Sequence, residues 1–154
     1  MKKVEKLRNK IPGIAITSDI IAGFPGETER DHMNTMHALR EIEFDGIFAF
    51  NFSPRPGTRA AGMDDILPQH IQSERLIEIF ACQEKITEKK NTLLEGTIQE
   101  ILVEEKGRAS VQQTTGRTRT NKIVTIDSSD FSPGNFLKVR IVRGRLHSLE
   151  GEPA

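Results

Sequence analysis

The pattern of hydrophobic residues differs between the two parts of the chain. The first part is predicted to contain both helices and strands, and the second part is predicted to contain short strands alone. Apolar side chains recur at helical spacing in residues 2–10, 28–43 and 68–91, which predicts three amphipathic helices. Between the helices lie two short runs of β-branched and aromatic residues, 14–22 and 47–52, which predict strands. A strand, a helix and a second strand in succession favour a parallel pair with a right-handed crossover.

The faces of these elements can also be predicted. The first strand is mostly apolar, so we expect cover on both of its faces. Alternation in the second strand places Phe48, Phe50 and Phe52 together and Asn51 on the other face, either as a ligand contact or as a hydrogen-bonded core residue. In the helices, Met33 and Met36 are expected in the core, and the charged residues of the third helix, including Arg75, predict a solvated face.

The loop after the first strand is the most specific local feature. The segment SDIIAGFPGET, residues 18–28, ends an apolar run in Gly23 and Gly26, which permit a turn with positive φ and close approach of a ligand. Thr28 and Asp31 have the spacing of a capping box. The loop therefore either binds a ligand at the carboxyl end of the strand or merely connects two elements.

Beyond residue 96 the helical period disappears and strand patterns replace it. The predicted strands are 97–103, 109–114, 117–126, 136–142 and 145–149. Five short strands in about 60 residues favour a small barrel of the OB type. The predicted fold class is therefore α/β followed by all-β, with one domain over residues 1–90 and a second over 91–154.

Charge is distributed unevenly along a chain that is neutral overall. The 22 Lys and Arg balance 22 Asp and Glu, but residues 106–149 hold nine basic residues against Asp127 and Asp130. The segment TTGRTRTNK contributes Arg117, Arg119, Asn121 and Lys122. Cations with short donors between them favour phosphate and sugar contacts, although a basic surface without a partner would have the same pattern. Because this region has only two aromatic residues, base stacking is not expected to be its main contact with nucleic acid.

Candidate chemistry within the chain itself is sparse. Cys82 is the single cysteine, and the four histidines show no ligand spacing, so we predict no catalytic residue and no metal site. The sequence has no apolar segment of the roughly 20 residues that a membrane span requires. Together with the charged start of the chain, this predicts a cytoplasmic protein without a membrane partner.

Three motifs, SDIIAGFPGETERD, FNFSPRPGTRAA and TGRTRTNKIV, together resemble the C-terminal portion of the MiaB family, the radical-SAM tRNA methylthiotransferases. The resemblance implies the end of a partial TIM-type barrel followed by a TRAM domain, an OB-like tRNA-binding module. It also implies S-adenosylmethionine and two 4Fe–4S clusters as cofactors of a monomeric full-length enzyme. The implied substrate is isopentenyl-adenosine in the anticodon stem-loop of tRNA.

The same resemblance implies site residues. Ile21, Gly23 and Gly26 match a strand end that lies against the adenosine part of S-adenosylmethionine, and Phe50, Asn51 and Ser53 match the next strand end. The residues implied to face tRNA are Arg117, Arg119, Asn121 and Lys122, and the basic residues Arg143 and Arg145 are candidates for the same role.

The cluster-binding cysteines of the family do not occur in this sequence. Thiolates ligate such clusters, so we expect the chain alone to be an inactive part of the enzyme or a truncated gene product. Two alternatives remain open. One is a methylthiotransferase acting on threonylcarbamoyl-adenosine, and the other is a tRNA-binding module without catalysis.

Overall fold

The computed structural model describes residues 2–106, 113–128 and 130–154, with the backbone alone at 105 and 106. The helices are α1 (Lys2–Lys10), α2 (Glu29–Ile42) and α3 (Gln69–Thr92), with a short 3₁₀ helix at Arg59–Gly62. The strands are β1 (Thr17–Ala22), β2 (Gly46–Asn51), β3 (Ile98–Lys106), β4 (Thr114–Thr118), β5 (Ile123–Ile126), β6 (Phe136–Gly144) and β7 (Leu149–Pro153). The chain divides into two compact units, residues 1–10 with 16–86 and residues 11–15 with 87–154.

The first unit is built on a parallel pair of strands, as predicted. β1 pairs with β2 from Thr17 opposite Gly46 to Ala22 opposite Asn51. The core of this unit joins one face of the pair to the helices, through Ala22, Met36, Leu39, Ala49, Ile79 and Ile86. The alternation of side chains thus places the small strand residues against the helices, where little space is available.

The expectation that both faces of β1 are covered is wrong for the described residues. Only one face packs on the helical core, whereas Ile21, Phe48 and Phe50 are exposed on the other. The register pairs Ile21 with Phe50, so their side chains lie next to each other at the carboxyl end. The run of apolar residues in the sequence therefore reflects two apolar faces, of which the first unit buries one.

The N-terminus of α2 has the predicted capping box. The backbone N–H of Asp31 donates to the Thr28 hydroxyl at 3.2 Å, and the Thr28 backbone N–H donates to the Asp31 carboxylate at 3.0 Å. Met36 is buried, as predicted, but the predicted burial of Met33 is wrong because its side chain is half exposed. The face of α2 that faces inward instead includes His32, whose Nε2 lies 2.9 Å from Glu78 Oε2.

The second unit contains a closed five-stranded barrel with the strand order β3-β4-β5-β7-β6. The pairs are antiparallel except for β5 with β7, and the pairing of β3 with β6 closes the barrel. Its core contains Ile101, Val124, Ile126, Val139, Ile141 and Leu149. In β6, Val139 and Ile141 point inward while Lys138 and Arg140 are exposed, which agrees with the predicted alternation.

Two of the predicted barrel strands are wrong. Residues 117–126 form the end of β4, a turn and then β5, because the Asn121 N–H donates to the Thr118 carbonyl and closes the turn. Residues 145–148 connect β6 to β7, which begins at Leu149. The predicted strand 109–114 falls mostly outside the described residues. Among the described residues, no helix is both long and apolar enough to cross a membrane.

Candidate functional site

A pocket of about 440 Å³ lies at the carboxyl ends of β1 and β2. Its lining includes Ile21 from β1 and Phe50 and Asn51 from the end of β2, followed by Phe52 and Ser53. Phe24, Arg55, Thr58 and Ala60 complete the lining. The sequence-predicted residues Ile21, Phe50, Asn51 and Ser53 are thus brought together, because parallel strands end at the same edge of the sheet.

The pocket is mainly apolar, with a few polar groups. Phe24 and Phe52 contact each other edge to face, with ring centroids 5.4 Å apart and planes at 73°. Asn51 Nδ2 donates a long hydrogen bond of 3.4 Å to Ser73 Oγ of α3. The Asn51 Oδ1 atom is buried and has no hydrogen-bond partner in the described structure. An aromatic lining with one unsatisfied acceptor is suited to a flat heterocycle that carries a donor.

Gly23 and Gly26 do not line this pocket themselves, although Phe24 between them does. Gly23 has φ of 74° and Gly26 has φ of 79°, so both need the conformational freedom of glycine. The Gly23 N–H donates to Glu27 Oε2 at 2.5 Å, and the Gly26 N–H donates to the Asp65 carbonyl at 2.8 Å. The close approach at Gly23 is internal, since a Cβ there would lie 2.4 Å from Cγ of Gln72.

Arg75 of α3 contacts the end of this loop, and the sequence analysis did not predict this contact. Its side chain is buried, and its Nη1 atom lies 3.1 Å from Glu27 Oε2 while Nη2 lies 3.1 Å from Glu29 Oε2. The predicted solvated face is therefore wrong at this position. The Glu27 carboxylate thus accepts from Gly23 and pairs with Arg75. The one sequence signal was the presence of acidic residues around the start of α2.

The cations of the β4–β5 hairpin differ in their surroundings. Arg117 Nε lies 3.0 Å from Glu104 Oε2, and its Nη1 donates to Asn121 Oδ1 at 3.0 Å. Arg119, in the turn, is 88% exposed and lies 3.9 Å from Glu100 Oε1. Lys122 is half-buried, and its ammonium donates to Asn91 Oδ1 at 2.6 Å. Arg119 is therefore the most accessible cation of the segment.

Arg143 and Arg145 form a second group near the β6–β7 connection. Arg143 is exposed and stands opposite Glu150 in the register of β6 and β7, whereas the Arg145 guanidinium pairs with the Glu150 carboxylate. Arg145 and Glu150 border a pocket of about 280 Å³ together with Thr125 and Asp127. The six predicted residues therefore lie in two hairpins, β4–β5 and β6–β7, with Arg117 and Arg143 in strands and the other four in the connections.

The acidic partners of these arginines explain why a count along the sequence overstates the basic surface. Glu100 and Glu104 lie on β3 and Glu150 on β7, outside residues 106–149. The barrel pairs β3 with β4, so Glu100 and Glu104 reach arginines distant in sequence, whereas Glu150 lies five residues from Arg145. The described residues contain no cluster of three His, Cys, Asp or Glu side chains that could hold a metal ion.

Comparison with known proteins shows which domain and which enzymes this chain is similar to. The model of the TRAM domain matches residues 92–154. The tRNA-2-methylthio-N(6)-dimethylallyladenosine synthase of Thermodesulfovibrio yellowstonii is 52% identical over 151 residues, which is 98% of this chain and 34% of that protein. The synthases of the same name from Carboxydothermus hydrogenoformans and Syntrophobacter fumaroxidans are 43% and 41% identical over 96% and 99% of the chain. The chain spans about a third of the length of these curated relatives, 34% and 33% of the latter two.

Proposed function

We propose, on the premise that this chain belongs to the MiaB family of radical-SAM tRNA methylthiotransferases, that it forms part of the S-adenosylmethionine pocket and carries the tRNA-binding domain of such an enzyme. The observation that carries the proposal is the sequence identity of 52% to a synthase of that name, over an alignment that covers 98% of this chain. The match of a TRAM domain to residues 92–154 supports the RNA-binding role.

The proposed activity belongs to the full-length protein. That protein methylthiolates an isopentenyl (dimethylallyl) adenosine beside the anticodon and binds the anticodon stem-loop as a monomer in the cytoplasm. In our proposal, residues 1–90 are the end of its radical-SAM barrel and residues 91–154 are its TRAM domain. Its 4Fe–4S clusters take their cysteine ligands from outside this sequence, so the chain by itself is inactive.

The pocket at the ends of β1 and β2 fits the adenosine part of S-adenosylmethionine. Ile21 and Phe50 are exposed neighbours across the two strands and offer an apolar surface to a purine ring. The unpartnered Oδ1 of Asn51 can accept a hydrogen bond from an exocyclic amine. When bound, S-adenosylmethionine supplies the radical chemistry, whereas the residues of this chain orient it. Gly23 and Gly26 act on the pocket through the conformation of the loop beside it.

On the barrel, the proposed RNA contacts are Arg117, Arg119, Asn121 and Lys122, with Arg143 and Arg145 as a second group. Among the cations, Arg119, Arg143 and Arg145 are exposed. Arg145 pairs with Glu150, so Arg119 and Arg143 are better suited to phosphate contacts. Asn121 has φ of 64° and sets the shape of the turn that carries Arg119. Lys122 and Asn91 link the hairpin to the end of α3, so Lys122 also has a structural role.

The experiment that tests this function uses the full-length protein with reconstituted clusters. It is incubated with S-adenosylmethionine and with tRNA that carries either isopentenyl-adenosine or threonylcarbamoyl-adenosine, and the nucleosides are identified by mass spectrometry. We expect the methylthio group on isopentenyl-adenosine. Modification of threonylcarbamoyl-adenosine alone would replace this function with the related one. Salt-sensitive tRNA binding without modification of either would leave a binding module.

The pocket has its own test in the full-length protein. Asn51→Ala removes the unpartnered acceptor, and Asn34→Ala changes an exposed asparagine of α2 as a matched control. Loss of one hydrogen bond is worth about 1 kcal/mol, so we expect about 5-fold weaker binding of S-adenosylmethionine in N51A and no change in N34A. If calorimetry gives the same affinity for S-adenosylmethionine in both variants, Asn51 does not contact the bound cofactor.

A further inference from the structure

Phe136 is the most exposed large apolar side chain in the described structure, at 71%. It is the first residue of β6, a regular strand of the barrel. The other aromatic residue of the barrel unit, Phe131, packs against the barrel core. An aromatic ring left in water gives up the stabilisation that burial would provide, and Phe136 is therefore an apolar surface available to a partner.

The neighbours of Phe136 form a continuous row across four strands. Phe136 stands opposite Leu102 of β3, Leu102 opposite Arg117 of β4, and Arg117 opposite Ile123 of β5. Directly opposed side chains on one face of an antiparallel pair lie about 4.5–5.5 Å apart at Cβ. Leu102 and Ile123 are both 38% exposed. The row is therefore an apolar strip that contains one cation.

The backbone at Phe136 is held in place before any partner binds. The turn Ser132–Gly134 precedes the strand, and the Gly134 N–H donates to the Val103 carbonyl at 2.8 Å. The Val103 N–H in turn donates to the Asn135 carbonyl at 2.9 Å. These bonds fasten the start of β6 to β3, so the ring is presented on a fixed backbone, which lowers the entropic cost of binding.

Among the described side chains, three cations, Arg117, Arg119 and Lys138, and two carboxylates lie in or beside the row. Glu100 stands opposite Lys138 in the register and Glu104 pairs with Arg117, so one cation is in excess, which favours a polyanion with flat apolar faces. Lys138 follows Phe136 on the same exposed face of β6, about 7 Å farther along the strand. Arg117 lies in the row itself, and Arg119 continues beyond it in the β4–β5 turn. RNA meets these demands, because its bases stack on aromatic rings while its phosphates contact cations.

We propose that Phe136 is a stacking platform for one unpaired base of the bound RNA, with Leu102 supporting the edge of the base. This inference rests on the proposed tRNA binding and adds a contact that reads no sequence, because every base has a stacking face. Phosphate contacts by the arginines remain the larger part of the affinity. Phe136 supplies the part that salt does not weaken.

The test measures binding of an unmodified tRNA transcript to the 154-residue chain at several salt concentrations. Phe136→Ala removes the ring, Phe136→Leu keeps apolar volume without it, and Phe136→Trp keeps a stacking surface. Val142→Ala is the control, since Val142 is another exposed apolar residue of β6. We expect F136A to bind about 5- to 150-fold more weakly with an unchanged salt slope, F136W to retain affinity, and V142A to behave as wild type.

The outcomes separate this inference from the proposed function. If the wild-type chain binds tRNA with a steep salt slope, and F136A and F136L both bind tRNA as tightly as the wild type, the stacking platform is refuted and tRNA binding stands. If the wild-type chain fails to bind tRNA, both fail. If F136A instead abolishes self-association of the chain, the row is a protein interface. Circular dichroism of F136L confirms that a loss of binding is not a loss of fold.

Discussion

Substituting Gly23 by alanine tests how the glycine loop is held against α3. Gly23 has φ of 74°, and a left-handed conformation costs a residue with a Cβ about 1–2 kcal/mol. The new Cβ would also lie 2.4 Å from Cγ and 2.9 Å from Cδ of Gln72. Gln72 is buried and cannot withdraw freely, because its Nε2 donates to the Leu67 carbonyl at 2.8 Å. Overpacking of this kind costs about 1–3 kcal/mol, so G23A should lower the free energy of unfolding by about 2–5 kcal/mol.

Gly26→Ala provides a matched control for the backbone term. Gly26 has φ of 79°, and a Cβ there meets no atom within 4 Å, so G26A should cost only about 1–2 kcal/mol. The chain has no Trp or Tyr, so urea unfolding is followed by circular dichroism at about 222 nm, where the signal comes mainly from helices. The difference between the two variants isolates the contact with Gln72.

A double substitution completes the design. Gln72→Ala removes the atoms that the new Cβ would meet, so G23A should cost less in the Q72A background than in the wild type. If G23A and G26A destabilise equally, the packing of Gly23 against Gln72 is refuted and only the backbone conformation matters. In the full-length enzyme, we also expect G23A to weaken S-adenosylmethionine binding more than G26A, because the distorted loop borders the pocket.

Two further predictions concern the barrel cations and the cap of α2. Arg119→Ala should weaken tRNA binding to the chain and lower the slope of log affinity against log salt by about one; an unchanged slope in filter binding would move the RNA face to Arg143. Hydrogen bonds from the Thr28 hydroxyl and then the Thr28 N–H lower the pKa of Asp31 below 3.8. Asp31 therefore stabilises the fold above pH 3.8 and loses this effect as the pH falls through its lowered pKa. Asp31→Asn should flatten the dependence of the unfolding midpoint on pH below about 4, and parallel curves for the two proteins would contradict this.

Local patterns were sufficient for much of the fold. The parallel pair, the capping box at Thr28 and Asp31 and the inward face of β6 follow from short-range periodicity and local hydrogen bonding, which neighbouring residues control. The grouping of Ile21 with Phe50, Asn51 and Ser53 could be anticipated because parallel strands end at the same edge. Their assignment to S-adenosylmethionine and the assignment of the barrel residues to tRNA stay predictions.

Other features depended on contacts between segments distant in sequence. Arg75 belongs to a charged run that resembles a solvated helix face, yet it is buried because Glu27 and Glu29 compensate its charge. Residues 117–126 were predicted as one strand because the turn is formed by Asn121, a residue whose left-handed conformation is permitted but not required by its type. Both errors arise where one sequence pattern is compatible with two environments.

The sequence by itself determined the order of the elements, the two-part organisation and, through its motifs, the family, because these depend on local periodicity and residue identity. The tertiary structure decided which cations stay accessible, since Glu100 and Glu104 approach Arg119 and Arg117 only through the pairing of β3 with β4. It also decided that Gly23 packs against Gln72 and that Phe136 stands exposed beside Leu102 and Arg117. Strand register and helix packing set these neighbours, and neither can be read from the spacing of residues along the chain.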